Sequence, residues 1–112
     1  MKKIKFTDNL TNLILQGEKT STWRLFDDKD LSEGDEVVLA NKQSGEEFAS
    51  AVIEKVIEKK LGEMDDVDWE GHERYESEEK MLLDFRGFYP DKKVDRDTLV
   101  KIIDFRIIKF LV

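Results

Sequence analysis

Polar and apolar residues alternate from Lys2 to Phe6, with Ile4 and Phe6 on one face, and predict a short first strand. The period then changes. Leu10, Leu13 and Ile14 fall at helical spacing, Thr7 or Asp8 is placed to cap the helix, and Gly17 is placed to end it in a left-handed turn. Thr20 to Phe26 is rich in β-branched and aromatic residues and predicts the second strand. A polar connection follows at Asp27-Asp28-Lys29-Asp30, then a turn at Glu33-Gly34-Asp35. Glu36 to Asn41 and Glu47 to about Lys59 predict two strands joined by a hairpin turn at Gln43-Ser44-Gly45.

The middle of the chain breaks this rhythm. From Leu61 to Glu73 the acidic run Glu63, Asp65, Asp66, Asp68, Glu70 and Glu73 leaves too few apolar residues for a buried element, so a loop with at most one helical turn is expected. Glu76-Ser77-Glu78-Glu79 then starts a helix with carboxylates at the positive end of its dipole. Met81, Leu82, Phe85 and Phe88 form its predicted buried stripe, and Tyr89-Pro90 ends it. Leu99 to Leu111 reads as a long strand, apolar on both faces, which suits a central or barrel-closing position. Strands outnumber helices, the hairpins are antiparallel and no βαβ rhythm is visible. The expected fold is α+β: a small β-barrel or strongly curved, mostly antiparallel sheet with two or three short helices. No repeat or internal boundary divides the chain, so one domain over residues 1–112 is expected.

Composition narrows the chemistry. There is no cysteine, which excludes disulfides, thiolate metal sites and thiol catalysis. One histidine, His72, cannot build a His-based catalytic pair or a zinc site. Met1-Lys2-Lys3 is basic, but Lys5 and Asp8 interrupt the apolar run that a signal peptide needs, and a cytoplasmic location is expected. The net charge of −7 disfavours binding to long nucleic acid, which rewards a continuous basic stripe, and is neutral toward a single nucleoside.

The densest chemistry lies between residues 17 and 24. A period of two puts Thr20, Thr22 and Arg24 on one strand face and Ser21 and Trp23 on the other. Lys19 stands at the helix–strand junction, close enough to swing onto the Thr22 face. A hydroxyl and two cations beside a glycine turn can clamp an anion or a planar polar ligand. The same trio can do chemistry if Arg24 lowers the Lys19 pKa and the neutral amine deprotonates Thr22. An edge strand with solvated cations and threonines chosen for β-propensity would show the same local pattern.

The spacing Gly17-x-Lys19-x-x-Thr22-x-Arg24 resembles the G-x-K-x-x-T-x-R signature of the ASCH domain family, a branch of the PUA-like β-barrels. Leu31-Ser32-Glu33-Gly34-Asp35-Glu36-Val37 is similar to the family's usual approach to the next strand. A likeness of layout runs on through the acidic loop and the Phe88-Tyr89-Pro90 helix end to the final strand. The resemblance implies a PUA-like barrel whose small cleft, lined by Lys19, Thr22 and Arg24 with Gly17 and Thr20 beside them, takes RNA or a nucleoside. The family includes small amidohydrolases acting on acetylated cytidine, with a Lys, a Thr and a Glu assigned to catalysis. Lys19 and Thr22 carry over directly. The glutamate belongs just before the second helix, where this chain has Glu70-Gly71-His72-Glu73; the Glu-Gly pair favours Glu70, with Glu73 as second choice.

Other residues weigh less. Asp66-Val67-Asp68-Trp69-Glu70-Gly71 begins like an EF-hand calcium loop, but position twelve is Ser77 where a bidentate glutamate is required. Trp23 is expected in the core, Trp69 is the better candidate to stack on a base, and Phe26 is a further one. His72 is expected to be an ordinary loop residue, with lining of the cleft as the alternative. The leading expectation is therefore a module that binds RNA or a nucleoside in the Lys19–Thr22–Arg24 cleft, with no cofactor and no metal. The alternative is an amidohydrolase that deacetylates N4-acetylcytidine: Thr22 attacks, Lys19 activates it and Glu70 shuttles the proton. A third possibility is an acidic protein-interaction domain.

Overall fold

A computed structural model of the chain describes residues 1–72 and 74–111. The chain runs β1 (Lys2–Phe6), α1 (Asp8–Leu15), β2 (Ser21–Leu25), β3 (Glu36–Asn41), β4 (Glu47–Lys60), α2 (Glu78–Phe88) and β5 (Leu99–Phe110). Two 3₁₀ turns, Leu61–Glu63 and Asp66–Trp69, lie between β4 and α2. The five strands form one curled sheet in the order β1-β3-β4-β5-β2, a half-barrel carrying two helices. Three of its pairings are antiparallel, whereas β1 runs parallel to β3, so the sheet is mixed. Register shifts at Ser50/Ala51 and Ile53/Lys55 let the long β4 bend with the curl.

β5 explains the two-sided apolar pattern. It sits between β4 and β2, and its alternating residues feed different cores. Ile103 and Phe105 join Ile4, Phe6, Leu39 and Phe48 on one face. Val100 and Ile102 join Trp23, Leu25, Met81 and Phe85 on the other. α2 covers the second face, capped by Ser77, whose hydroxyl accepts from the Lys80 amide.

Three sequence expectations are corrected. Phe88 is not in the buried stripe of α2: Met81 and Phe85 are buried, while Phe88 is 57% exposed, because only those two turns of the helix face the sheet. The acidic segment is not simply peripheral. Leu61 is buried in the second core, and Asp68 is buried as an ion pair, its carboxylate accepting from Lys59 Nζ at 2.7 Å and from the Asp65 amide at 2.8 Å. Burial alone would raise the Asp68 carboxyl, but these hydrogen bonds and the Lys59 charge together hold it below the usual carboxylate range. Finally, β2 is shorter than expected. Phe26 takes φ 52° and turns the chain out of the strand, and at the other end the Thr20 and Ser21 amides both donate to Gly71 O, at 2.9 and 3.1 Å. Among the described residues no helix is long and apolar enough to cross a membrane.

Candidate functional site

Gly17 builds the first corner of the site. With φ 79° it ends α1, and the amides of Glu18 and Lys19 both close onto Leu13 O, at 2.9 and 3.2 Å. This tight wrap delivers Lys19 to the start of β2 with only 3% of its surface exposed. Thr22, on the inner face of β2 opposite Ile103, is 4% exposed, and Arg24 follows two residues later opposite Lys101. All three line one cavity of about 220 Å³.

The cavity lies where the half-barrel fails to close. β1 and β2 are the two ends of the sheet, and the gap between them is bounded by Lys5 from β1 and by Thr22, Trp23 and Arg24 from β2. Phe85, Phe88 and Tyr89 wall it from α2 and its end, while His72 and Tyr75 approach from the loop before α2. Lys42 completes a set of four cationic side chains with Lys5, Lys19 and Arg24, in a protein whose net charge is −7. Tyr89 is fixed by accepting from the Leu25 amide at 3.3 Å.

Trp23 does more than fill the core. It is 4% exposed and packs against Phe85, yet it also lines the cavity. His72 lies flat on it, 4.1 Å between centroids and 18° between planes, so it is a wall of the cavity and not an ordinary loop residue. The Trp23 indole Nε1 and the Ser21 hydroxyl are buried with no hydrogen-bond partner among the described residues. Buried donors of this kind are rare unless water or a ligand takes them.

The remaining expected residues lie elsewhere. Trp69 stands behind Trp23, 4.6 Å ring to ring, and does not line the cavity. Gly17, Thr20, Glu70 and Gly71 line a second, more open concavity of about 610 Å³ on the far side of Lys19, which contributes to both. Glu70 is exposed there. Glu73 lies outside the described residues. Among those described, no group of three or more His, Asp or Glu is placed to hold a metal ion.

The residues that sequence reasoning missed are the aromatic walls and the lysines at the mouth. Phe85 and Phe88 carry the same helical period whether they face a core or a cleft, and Lys5 reads as the polar face of an ordinary edge strand. The Phe88-Tyr89-Pro90 helix end was the one available signal, since it sets two adjacent aromatic residues at a chain reversal.

The same architecture recurs in solved structures. A DUF984 protein from Enterococcus faecalis superposes with a TM-score of 0.77 at 17% identity, over 93% of this chain and 72% of that one. The ASCH domain from Lactobacillus crispatus gives 0.68 at 18% identity, over 95% of this chain and 79% of that one. The ASCH protein from Zymomonas mobilis gives 0.59 at 14% identity, over 96% and 68%. No protein-family model and no curated protein matches the sequence. At these identities the likeness is one of fold.

Proposed function

We propose that this ASCH-like, PUA-like half-barrel binds a nucleoside, free or within a short stretch of RNA, in the Lys19–Thr22–Arg24 cavity. The observation that carries this reading is the pairing of Lys19 and Thr22, 3% and 4% exposed, turned into a cavity with aromatic walls instead of being released to solvent. A base offers carbonyl and ring-nitrogen acceptors to Lys19, Arg24 and the Thr22 hydroxyl, and a π-face to Tyr75, Phe88 or Tyr89. The cavity volume of about 220 Å³ is on the scale of a single nucleoside.

Titration calorimetry with cytidine, N4-acetylcytidine, uridine and adenosine tests the proposal. At least one is expected to bind the wild type and to lose about 5–150-fold in affinity with Thr22→Ala, the cost of one buried hydrogen bond. Single-stranded RNA is expected to bind weakly, with a log–log salt slope of about −1, because only one or two phosphates are held. No nucleoside binding at millimolar concentration, or tight binding of long RNA with a steep slope, would overturn it.

A second reading is supported by the same burial. A buried lysine and a buried threonine lining one cavity are the parts of an activated hydroxyl nucleophile, and the substrate would be an acetylated cytidine. In that reading Thr22 attacks the acetyl carbonyl as Lys19 takes the hydroxyl proton, and the bond from the acetyl carbon to N4 breaks as Lys19 passes that proton to the departing amine. Water then hydrolyses the acetyl-threonine to release acetate, with Glu70 relaying protons by way of Lys19, the residue that the two concavities share.

A further inference from the structure

Phe26 stands outside what packing accounts for in two respects. Its backbone is left-handed, φ 52°, a conformation that a bulky side chain rarely adopts. The residue is nevertheless 44% exposed, so burial offsets only part of that cost. Both neighbours hold it there. The Leu25 amide donates to the Tyr89 hydroxyl, and Asp27 is tied by Lys101 Nζ at 2.8 Å and by the Leu31 amide at 2.9 Å. The ring itself meets Tyr89 edge-on, 5.5 Å between centroids and 75° between planes, with Lys92 Nζ 5.6 Å from its centre.

Phe26, Tyr89, Lys92 and Arg24 share a shallow cleft of about 290 Å³. Arg24 and Tyr89 also line the Lys19–Thr22 cavity, so the two concavities meet at a common wall. Asp27 and Asp28 line the same cleft, and Asp27 is tied to Lys101. An exposed ring with a lysine over one face, one wall away from the Lys19–Thr22 cavity, supplies the aromatic and cationic parts of a single-strand stacking platform. Strained backbone held by its surroundings is characteristic of ligand clamps.

We propose that Phe26 is the stacking subsite for a second base, so that the protein takes two consecutive nucleotides of single-stranded RNA. The first base enters the Lys19–Thr22–Arg24 cavity, the phosphodiester passes the Arg24–Tyr89 wall, and the second base lies on Phe26 beside Lys92. This inference rests on the nucleoside reading of the cavity. It accounts for how a protein of net charge −7 engages RNA without a basic stripe: the contact is two nucleotides long and leans on stacking more than on phosphates.

The test compares the dinucleotide CpC with cytidine 3′-methylphosphate and cytidine 5′-methylphosphate, which carry the diester charge without a second base. Wild-type protein is expected to bind CpC about tenfold more tightly than the better methyl ester, the gain from one stacked base. Phe26→Asn keeps a residue that tolerates the left-handed backbone. It is expected to abolish the gain while leaving methyl-ester affinity unchanged, and Phe26→Trp is expected to retain the gain. If the methyl esters bind but CpC gains nothing, or if the gain survives Phe26→Asn, the second subsite is wrong and the cavity reading stands. If neither class binds the wild type, both fail.

Discussion

Arg24 Nη2 donates to the main-chain oxygen of Lys5 at 3.0 Å, and so one side chain spans the seam between the two end strands of the sheet. The guanidinium also lies over the Phe6 ring, 5.0 Å from its centre. No ladder hydrogen bonds join β2 to β1, since each closes its own end of the strand order. The residue that ties the two open ends of the half-barrel is therefore also a wall of its cavity. Seam and cavity share an arginine.

Arg24→Ala is expected to lower stability by about 1–2 kcal/mol, the sum of an exposed charge-assisted hydrogen bond and a cation–π contact. Arg24→Lys should recover less than half of that, because an ammonium cannot both cover the Phe6 ring and keep the guanidinium's fork of donors. Urea denaturation reads the difference. An unchanged midpoint in Arg24→Ala would show that the seam needs no tie.

Gly71 couples the loop before α2 to the signature segment. Its carbonyl accepts from both Thr20 and Ser21, its φ is 74°, and a Cβ placed on it would fall 2.0 Å from Thr20 Oγ1. Gly71→Ala is expected to cost about 2–3 kcal/mol, from steric overlap together with left-handed strain. Adding Thr20→Ala should relieve the overlap and leave the strain, so the double variant should be more stable than Gly71→Ala alone. Strict additivity in thermal or urea unfolding would mean that the loop does not pack as described.

The Asp27–Lys101 pair sets an acid limit. The side chains are 7% and 16% exposed, and Lys101 Nζ also donates to Leu31 O at 3.1 Å. Burial alone would raise the Asp27 carboxyl, but hydrogen bonds from Lys101, Leu31 and Lys29, with the Lys101 charge, hold it below its ordinary 3.8. A carboxyl depressed on folding stabilises the protein fully above pH 3.8, and that share is lost as pH falls through the lower folded value. Asp27→Asn should therefore cost about 3 kcal/mol near neutrality and show a flatter loss of stability between about pH 5 and 2. Asp68 acts in the same direction and keeps some acid sensitivity in the variant. Parallel pH–stability curves for variant and wild type would remove Asp27 from this role.

The legible parts of this protein were the local ones. β1, β3 and the start of α2 follow from residues within one or two turns of each other, and so does the Gly17–Arg24 corner. β5 was legible as two-sided because Val100 and Ile102 alternate with Ile103 and Phe105 within one strand. The parallel pairing of β1 with β3 was not, since nothing in Lys2–Phe6 marks a partner beginning at Glu36. The aromatic half of the cavity was hidden for a similar reason. Trp23, His72, Tyr75 and Phe88 meet only after the loop docks on β2 through Gly71, a contact between residues about fifty positions apart in sequence. Phe26 belonged to the strand by propensity, and the pinned Asp27–Leu31 loop overrides that preference.

Catalysis and binding separate at Lys19 and Thr22. A threonine hydroxyl attacks a carbonyl only when a base takes its proton, whereas it can donate to or accept from a ligand as it stands. If the cavity is an amidohydrolase site, Lys19→Met and Thr22→Ala should each abolish release of acetate from N4-acetylcytidine, while Thr22→Ser keeps part of it. Glu70 is exposed in the neighbouring concavity and does not line the Lys19–Thr22–Arg24 cavity, so in that case Glu70→Gln should slow turnover without ending it. In a binding module the same Lys19 and Thr22 substitutions each weaken affinity by about 1–3 kcal/mol, and no acetate appears. Chromatography of N4-acetylcytidine incubated with each purified variant distinguishes the two. Wild-type turnover no faster than that of Thr22→Ala would end the enzyme reading for this substrate and leave the cavity as a binding site.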